Sequence, residues 1–134
     1  EVIEHTPVAS ASLAEWRRVL KPGGIVIITT PNRERLLAVA DRRERPCSED
    51  HLSELSYREL AGPLLRDAGF EFVGQSCLYL ELWLTNLWSG DRTEDHLQSY
   101  GNRRKNRWLM KGLLPLGRFV PWVSLRLIVI GRRR

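Results

Sequence analysis

The fold of this chain is constrained most by one uninterrupted stretch of β-branched residues, IVIITT at positions 25–30. Apolar and polar residues do not alternate along it. β-branched side chains favour extended backbone, and an apolar run without alternation is typical of a strand covered on both faces in a parallel sheet. The stretch therefore predicts an α/β fold in which residues 25–30 form a buried parallel strand.

An amphipathic helix is predicted directly before this strand. Ser12 and Glu15 have the S-x-x-E spacing of a capping box, and Ser10 is a competing cap, so the helix is expected to begin at about Ala9 or Leu13 and to end at Leu20. Three apolar residues recur at helical spacing and are expected to face the sheet: Leu13, Trp16 and Leu20. The glycines at positions 23 and 24 should form a turn, since a phosphate-binding loop must follow a strand and open a helix.

A second helix and two further strands are predicted later in the chain. Ser56 and Glu59 form another capping box, Gly69 should end the helix, and Pro63 should bend it or delay its start. An apolar stripe marks the buried side of this helix: Leu60, Leu64, Leu65 and Ala68. A strand is expected over residues 70–82, with a bulge or close contact at Gly74, and a final strand over residues 124–130.

The chain begins with a group of side chains that could bind a metal ion or move a proton, in the sequence EVIEH. Glu1, Glu4 and His5 are spaced i, i+3 and i+4, so one helical turn would bring them to one side. The same spacing also fits two solvated glutamates and a histidine that packs locally. From spacing alone, both interpretations stay open.

Taken in order, these features resemble the second half of a class I S-adenosylmethionine-dependent methyltransferase. The resemblance is carried by EVIEH, the helix, RVLKPGG, the strand and PN, and again by HLSELS and AGF. It implies a partial Rossmann-like α/β fold, the C-terminal strands and helices of a mixed sheet whose last strand is antiparallel. The family's cofactor loop and its ribose-binding acid have no counterpart here. We therefore expect residues 1–134 to be the C-terminal part of one methyltransferase domain, with the first half of the fold missing.

The resemblance also implies a site and a cofactor. It places EVIEH at the carboxyl end of a strand, the edge where open α/β sheets bind their ligands. S-adenosylmethionine is the implied cofactor, with His5 as the base that takes a proton from the methyl acceptor, and Glu4 orienting or replacing it. The residues that bind the cofactor remain unknown, and Glu1 is the nearest candidate.

A divalent metal is a second implication of the resemblance. The Glu-x-x-Glu-His spacing resembles the metal motif of ubiquinone-biosynthesis O-methyltransferases and of small-RNA 2′-O-methyltransferases, which a later histidine completes in the RNA enzymes. His51 is the matching position here. The implied ligand set for Mg²⁺ or Mn²⁺ is Glu1, Glu4, His5 and His51.

Residues 83–122 are not required by this fold and are predicted to be an insertion before the last strand. Four of the five tryptophans lie in it or at its edge: Trp83, Trp88, Trp108 and Trp122. Residues 101–134 contain 10 basic side chains and no acidic one. Aromatic and cationic residues together suit a lipid surface or a cap over an apolar substrate, and also stacking on bases. Ordinary core packing of these rings is the third interpretation.

We expect O-methylation of a small or lipid-like acceptor, contact with a membrane surface through residues 103–122, and no activity of this chain alone. Metal-dependent 2′-O-methylation of RNA and a non-catalytic, partner-binding half-domain are the alternatives, and nucleic acid is the less favoured partner. Cys47 and Cys77 form neither a disulfide framework nor a metal motif, so the expected location is cytoplasmic, with peripheral membrane contact. Charged residues and prolines interrupt the apolar run 108–130, which is not predicted to span a membrane.

Overall fold

The structure, a computed structural model, describes residues 1–34, 50–78, 111–112 and 114–134. The extension of the second predicted strand to residue 82 and most of the predicted insertion at residues 83–122 lie outside the described residues. Among the described residues, no helix combines the length and the apolar composition needed to cross a bilayer.

A three-stranded sheet lies at the centre of the described part. Its strands are β1 (Ile25–Pro31), β2 (Phe70–Leu78) and β3 (Arg126–Arg133), in the order β1-β3-β2. β3 lies in the middle and pairs antiparallel with both neighbours, so β1 and β2 point the same way. The antiparallel last strand predicted by the resemblance is confirmed, although it occupies later residues than 124–130. A register shift between Phe72 and Gly74 confirms the predicted bulge in β2.

The predicted burial of β1 on both faces is wrong. Ile25 is 44% and Ile27 is 64% exposed, whereas Ile28 and Thr30, on the opposite face, are buried. Within the described residues β1 pairs with β3 and with no parallel strand, and the parallel pairing is a single bridge between Asn32 and Leu55. The unbroken run of β-branched residues thus reflects the extended conformation that they favour, and not burial on two sides.

Helices cover one face of this sheet. The first, α1, spans Ala9–Val19, and its N-cap Val8 makes no side-chain cap hydrogen bond, so the capping box predicted at Ser12 is wrong. A second helical stretch occupies residues 57–67 and consists of α2 (Tyr57–Glu59), a π-helical segment (Leu60–Leu64) and α3 (Leu65–Asp67).

The second helical stretch begins and bends where the sequence predicts. The capping box of Ser56 and Glu59 is present, with the Ser56 hydroxyl accepting from the Glu59 backbone and the Glu59 carboxylate accepting from the Ser56 backbone. Pro63 lies inside the π-helical segment. Because proline has no N–H to donate, a wider turn accommodates it without ending the helix. Gly69 follows with φ of 80°, a left-handed conformation that suits glycine at a helix end.

The core lies between these helices and the sheet. Its buried members are Ile3, Leu13, Ile28, Leu55, Leu60, Leu65, Phe70 and Val129. Trp16 and Leu20 pack against the same cluster, which confirms that their side of α1 faces the sheet. Two 3-10 helices, Leu114–Arg118 and Pro121–Val123, lead into β3.

Candidate functional site

Polar residues gather where β1 ends. Thr30 and Asn32 are fully buried, and the 3-10 helix Ile3–His5 lies beside them. The Thr30 hydroxyl donates to the Glu4 carboxylate over 3.4 Å. The backbone carbonyl of Glu4 accepts from Leu52 at 2.9 Å and from Ser53 at 3.1 Å. These bonds fix the opening turn and the segment around residue 52 at the same end of the strand.

Glu4 is the unusual member of this group. Its side chain is fully buried, and its Oε1 has no hydrogen-bond partner within the described part of the chain. A buried polar atom left without a partner costs about 1–3 kcal/mol, and more when the group is charged. Such atoms are rare in native structures, and a catalytic role or a bound ion is among their explanations.

His5 is held in one orientation by a backbone carbonyl. Its Nδ1 lies 2.9 Å from the carbonyl oxygen of Asp50, which can only accept, so Nδ1–H is the donor. The neutral ring then carries its lone pair on Nε2. Because the side chain is exposed, a solvent-borne acceptor could reach that nitrogen.

His51 lies next to His5 and is held by a carboxylate. Its Nδ1 is 3.0 Å from Oε1 of Glu54, and the side chains of the two residues are 9% and 2% exposed. The two imidazole rings meet edge to face, with centroids 5.0 Å apart and planes inclined by 73°. One ligand atom from each of Glu4, His5 and His51 lies within 4.8 Å of the other two. The structure therefore brings together three of the four predicted metal ligands.

Glu1 lies apart from this cluster, which consists of Glu4, His5 and His51. Its carboxylate forms an ion pair with Arg126 at the start of β3. The 3-10 helix begins only at Ile3, so the i, i+3, i+4 geometry expected from the sequence does not extend back to Glu1.

Glu54 is the site residue that sequence reasoning missed. It is buried and pairs with His51. The sequence does contain a pattern that indicates Glu54, because His51 and Glu54 have the same i, i+3 spacing as Glu1 and Glu4.

Asn32 has a structural part in the site. Its Nδ2 donates to the carbonyls of Trp122 at 2.8 Å and Ser124 at 3.0 Å, and its backbone N–H donates to Leu125. Its Oδ1 accepts from the backbone of Glu34. Asn32 thus attaches the segment before β3 to the end of β1.

Comparison with known proteins gives relatives for part of the chain. No family model matches it. A probable S-adenosylmethionine-dependent methyltransferase of Mycolicibacterium smegmatis is 39% identical over 71 residues, which are 53% of this chain and 26% of that protein. A protein of Mycobacterium tuberculosis with the same description is 35% identical over 79 residues, 59% of this chain and 27% of its own length. The chain thus spans about a quarter of the length of the curated relatives it matches.

Proposed function

We propose that this chain is part of an S-adenosylmethionine-dependent methyltransferase that methylates a hydroxyl group of a small or lipid-like acceptor. The descriptions of its relatives support the general activity. The observation that carries the role of the site is the orientation of His5, whose Nδ1–H is engaged by a carbonyl at 2.9 Å, so that the lone pair is on Nε2.

The cofactor would supply an electrophilic methyl group when bound, and the bond from that methyl to the sulfonium sulfur would break to leave a neutral thioether. The described residues include no glycine-rich loop between a strand and a helix, so they assign no residue to cofactor binding. Their part in the reaction is to handle the proton of the acceptor. As the acceptor oxygen forms its new bond to carbon, its O–H proton must leave. His5 Nε2 takes this proton and becomes an imidazolium. Glu4, a carboxylate beside it, stabilises the positive charge.

The role of His5 can be tested in the full-length protein. His5→Gln should lower the rate of O-methylation by about 10²–10⁴-fold, the usual contribution of a general base. Binding of labelled S-adenosylmethionine in equilibrium dialysis should stay unchanged, which separates loss of the base from loss of the fold. Glu15→Gln, on the exposed side of α1, serves as the control. A His5→Gln enzyme with the wild-type rate and pH profile would refute this role.

Metal-assisted transfer is the second candidate, favoured by the buried Glu4 oxygen without a partner in the described part of the chain. Glu4, His5 and His51 offer one oxygen and two nitrogen ligands, and the Glu54 carboxylate that holds His51 is typical of residues behind a metal ligand. Imidazole ligands suit Mn²⁺ better than Mg²⁺, which prefers oxygen. A bound ion would act as a Lewis acid on the acceptor hydroxyl.

A pair of glutamates gives a matched test of this candidate. Isothermal titration of Mn²⁺ into the full-length protein should show binding that Glu4→Gln and His51→Ala abolish. Glu1→Gln should bind as the wild type does, because the Glu1 carboxylate pairs with Arg126 and lies outside the cluster. Equal curves for wild type and Glu4→Gln would exclude a metal at this cluster.

A further inference from the structure

Large apolar side chains are exposed on the two 3-10 helices that precede β3 and on the short turn between them. Leu116 is 49%, Phe119 is 60% and Trp122 is 45% exposed, all within seven consecutive residues. We call these three residues, together with Arg118, the rim surface. Clustered apolar exposure of this kind marks a place where a protein meets a partner, whereas single exposed apolar residues are ordinary.

The backbone that carries the rim surface is firmly attached to the sheet. The Gln75 side chain on β2 accepts from the Tyr57 hydroxyl and donates to the carbonyl of Arg118 at 2.7 Å. Gly117 lies so close to β2 that a Cβ added there would be 2.6 Å from the sulfur of Cys77. The backbone of this segment therefore packs against β2, while its large apolar side chains are exposed to solvent.

The rim surface lies at the same end of the sheet as the candidate site. Asn32, the residue after β1, donates to the carbonyl of Trp122, and Thr30, two residues earlier, donates to Glu4. A partner that binds the rim surface would thus be presented at the edge where Glu4 and His5 lie.

Charge indicates the chemistry of the partner. Residues 111–125, which carry the rim surface and lead into β3, have two basic side chains, Lys111 and Arg118, and no acidic one. The arginines at positions 132–134 lie at the opposite end of β3 and do not contribute to this surface. The Arg118 guanidinium lies over the Phe119 ring, 4.8 Å from its centroid. Apolar and aromatic side chains among cations complement a surface that is anionic outside and apolar beneath, as a bilayer with acidic headgroups is.

The arrangement of the rings favours lipid over nucleic acid. Stacking of bases requires an accessible ring face, but Arg118 covers a face of Phe119, and the Trp122 ring packs near Tyr57 with centroids 6.5 Å apart. Leu116 offers a base no ring at all. At a lipid surface, by contrast, the depth of apolar burial matters more than the presentation of a ring face.

We propose that the rim surface docks on an anionic lipid bilayer and that the methyl acceptor is a hydroxylated lipid of that bilayer. The second half of this statement rests on the proposed function, whereas the docking itself does not. Docking would bring an acceptor to the edge of the sheet without its leaving the membrane.

Sedimentation with vesicles tests the docking. The full chain, without cofactor, should bind vesicles of phosphatidylcholine and phosphatidylglycerol more strongly than vesicles of phosphatidylcholine alone. Phe119→Ser should lower partitioning by about ten-fold, and Arg118→Gln by about five-fold with a weaker dependence on salt. Matched controls are Val19→Ser and Arg66→Gln, which remove an equally exposed apolar residue and an exposed arginine elsewhere, and both should bind as the wild type does.

Two further measurements separate the docking from the proposed function. Methylation of a water-soluble hydroxyl acceptor by the full-length enzyme should be the same in Phe119→Ser and wild type, while methylation of a vesicle-borne acceptor should fall. Fluorescence anisotropy with a single-stranded RNA should show no difference between them. Wild-type vesicle binding by Phe119→Ser, or a loss of RNA binding with vesicle binding intact, would overturn the proposal.

Discussion

Replacing Glu4 by methionine should not destabilise the metal-free protein, although it removes the function of the site. Methionine keeps the length and nearly the volume of the side chain but carries no charge and no atom that needs a hydrogen bond. In the wild type, Glu4 is fully buried, Oε1 has no partner in the described part, and Oε2 accepts a long bond of 3.4 Å from Thr30. Removing one unsatisfied buried oxygen should raise the free energy of unfolding by about 1–3 kcal/mol. Loss of the long hydrogen bond from Thr30 should lower it by about 1 kcal/mol.

The assay is urea denaturation of the full-length protein with a chelator present. Glu4→Met should leave the free energy of unfolding unchanged or raise it by up to about 2 kcal/mol. Thr30→Val supplies a double-mutant cycle, because it should destabilise the wild type by about 1 kcal/mol and the Glu4→Met protein by much less. Methylation should fall in every protein that carries Glu4→Met.

Added Mn²⁺ extends the experiment to the metal candidate. If the cluster binds the ion, free metal at 100 times its Kd should stabilise the wild type by about 2.7 kcal/mol and leave Glu4→Met unchanged. The wild type would then be the more stable of the two proteins. A Glu4→Met protein that is less stable than wild type in chelator would refute the reasoning, since it would mean that the Glu4 oxygens are satisfied and that their burial has no cost to relieve.

Contacts outside the cluster lead to three further predictions. Gly117→Ala should destabilise the protein by about 1–3 kcal/mol because of its close approach to β2, whereas Gly62→Ala, with nothing within 4 Å, should be neutral or stabilising in thermal unfolding. Asn32→Leu should cost about 1–3 kcal/mol by removing the donor to the buried carbonyl of Ser124 and the partly buried carbonyl of Trp122, and hydrogen exchange should speed up at residues 122–125. Burial raises the pKa of the Glu59 carboxyl, but hydrogen bonds from Ser56 and the nearby Arg33 guanidinium outweigh it and hold that pKa below its usual value. The folded protein therefore binds this proton less readily than the unfolded chain, so the stability from Glu59 is present above the unfolded pKa and is lost as pH falls through the folded one. Arg33→Gln should make the urea midpoint depend less on pH in the range between the folded and the unfolded pKa of Glu59.

The positions of helices and strands could largely be predicted because they depend on local pattern. The β-branched run marked β1, and the capping box of Ser56 and Glu59 marked the start of the second helical stretch. The equivalent spacing at Ser12 failed because a cap contributes only about 1 kcal/mol, and packing of Ala9 against the core extends α1 by a turn before that position. The burial of β1 was overestimated because the composition of a strand indicates its extended conformation. It does not show whether other elements pack on one face of the strand or on both.

The site could be predicted only in part, because its members come from distant segments. Spacing placed Glu4 and His5 together, but it also included Glu1, which pairs with Arg126 on a strand 125 residues away in sequence. His51 was assigned through the resemblance alone, and no local pattern links it to His5 across 46 positions. Glu54 follows from His51 by spacing, but only once His51 is known to belong to the site.

Three separate segments depend on hydrogen bonds at the end of one strand. Thr30 contacts the carboxylate of Glu4, the backbone of Glu4 accepts from residues 52 and 53, and Asn32 attaches residues 122–125. The histidines and the rim surface are therefore attached to β1 through different bonds. A substitution at Asn32 should perturb the rim surface more than the cluster, and a substitution at Thr30 should perturb the cluster more than the rim surface. For that reason the proposed lipid docking and the proposed proton or metal chemistry can be tested one at a time, although the residues proposed for both lie at the same end of the sheet.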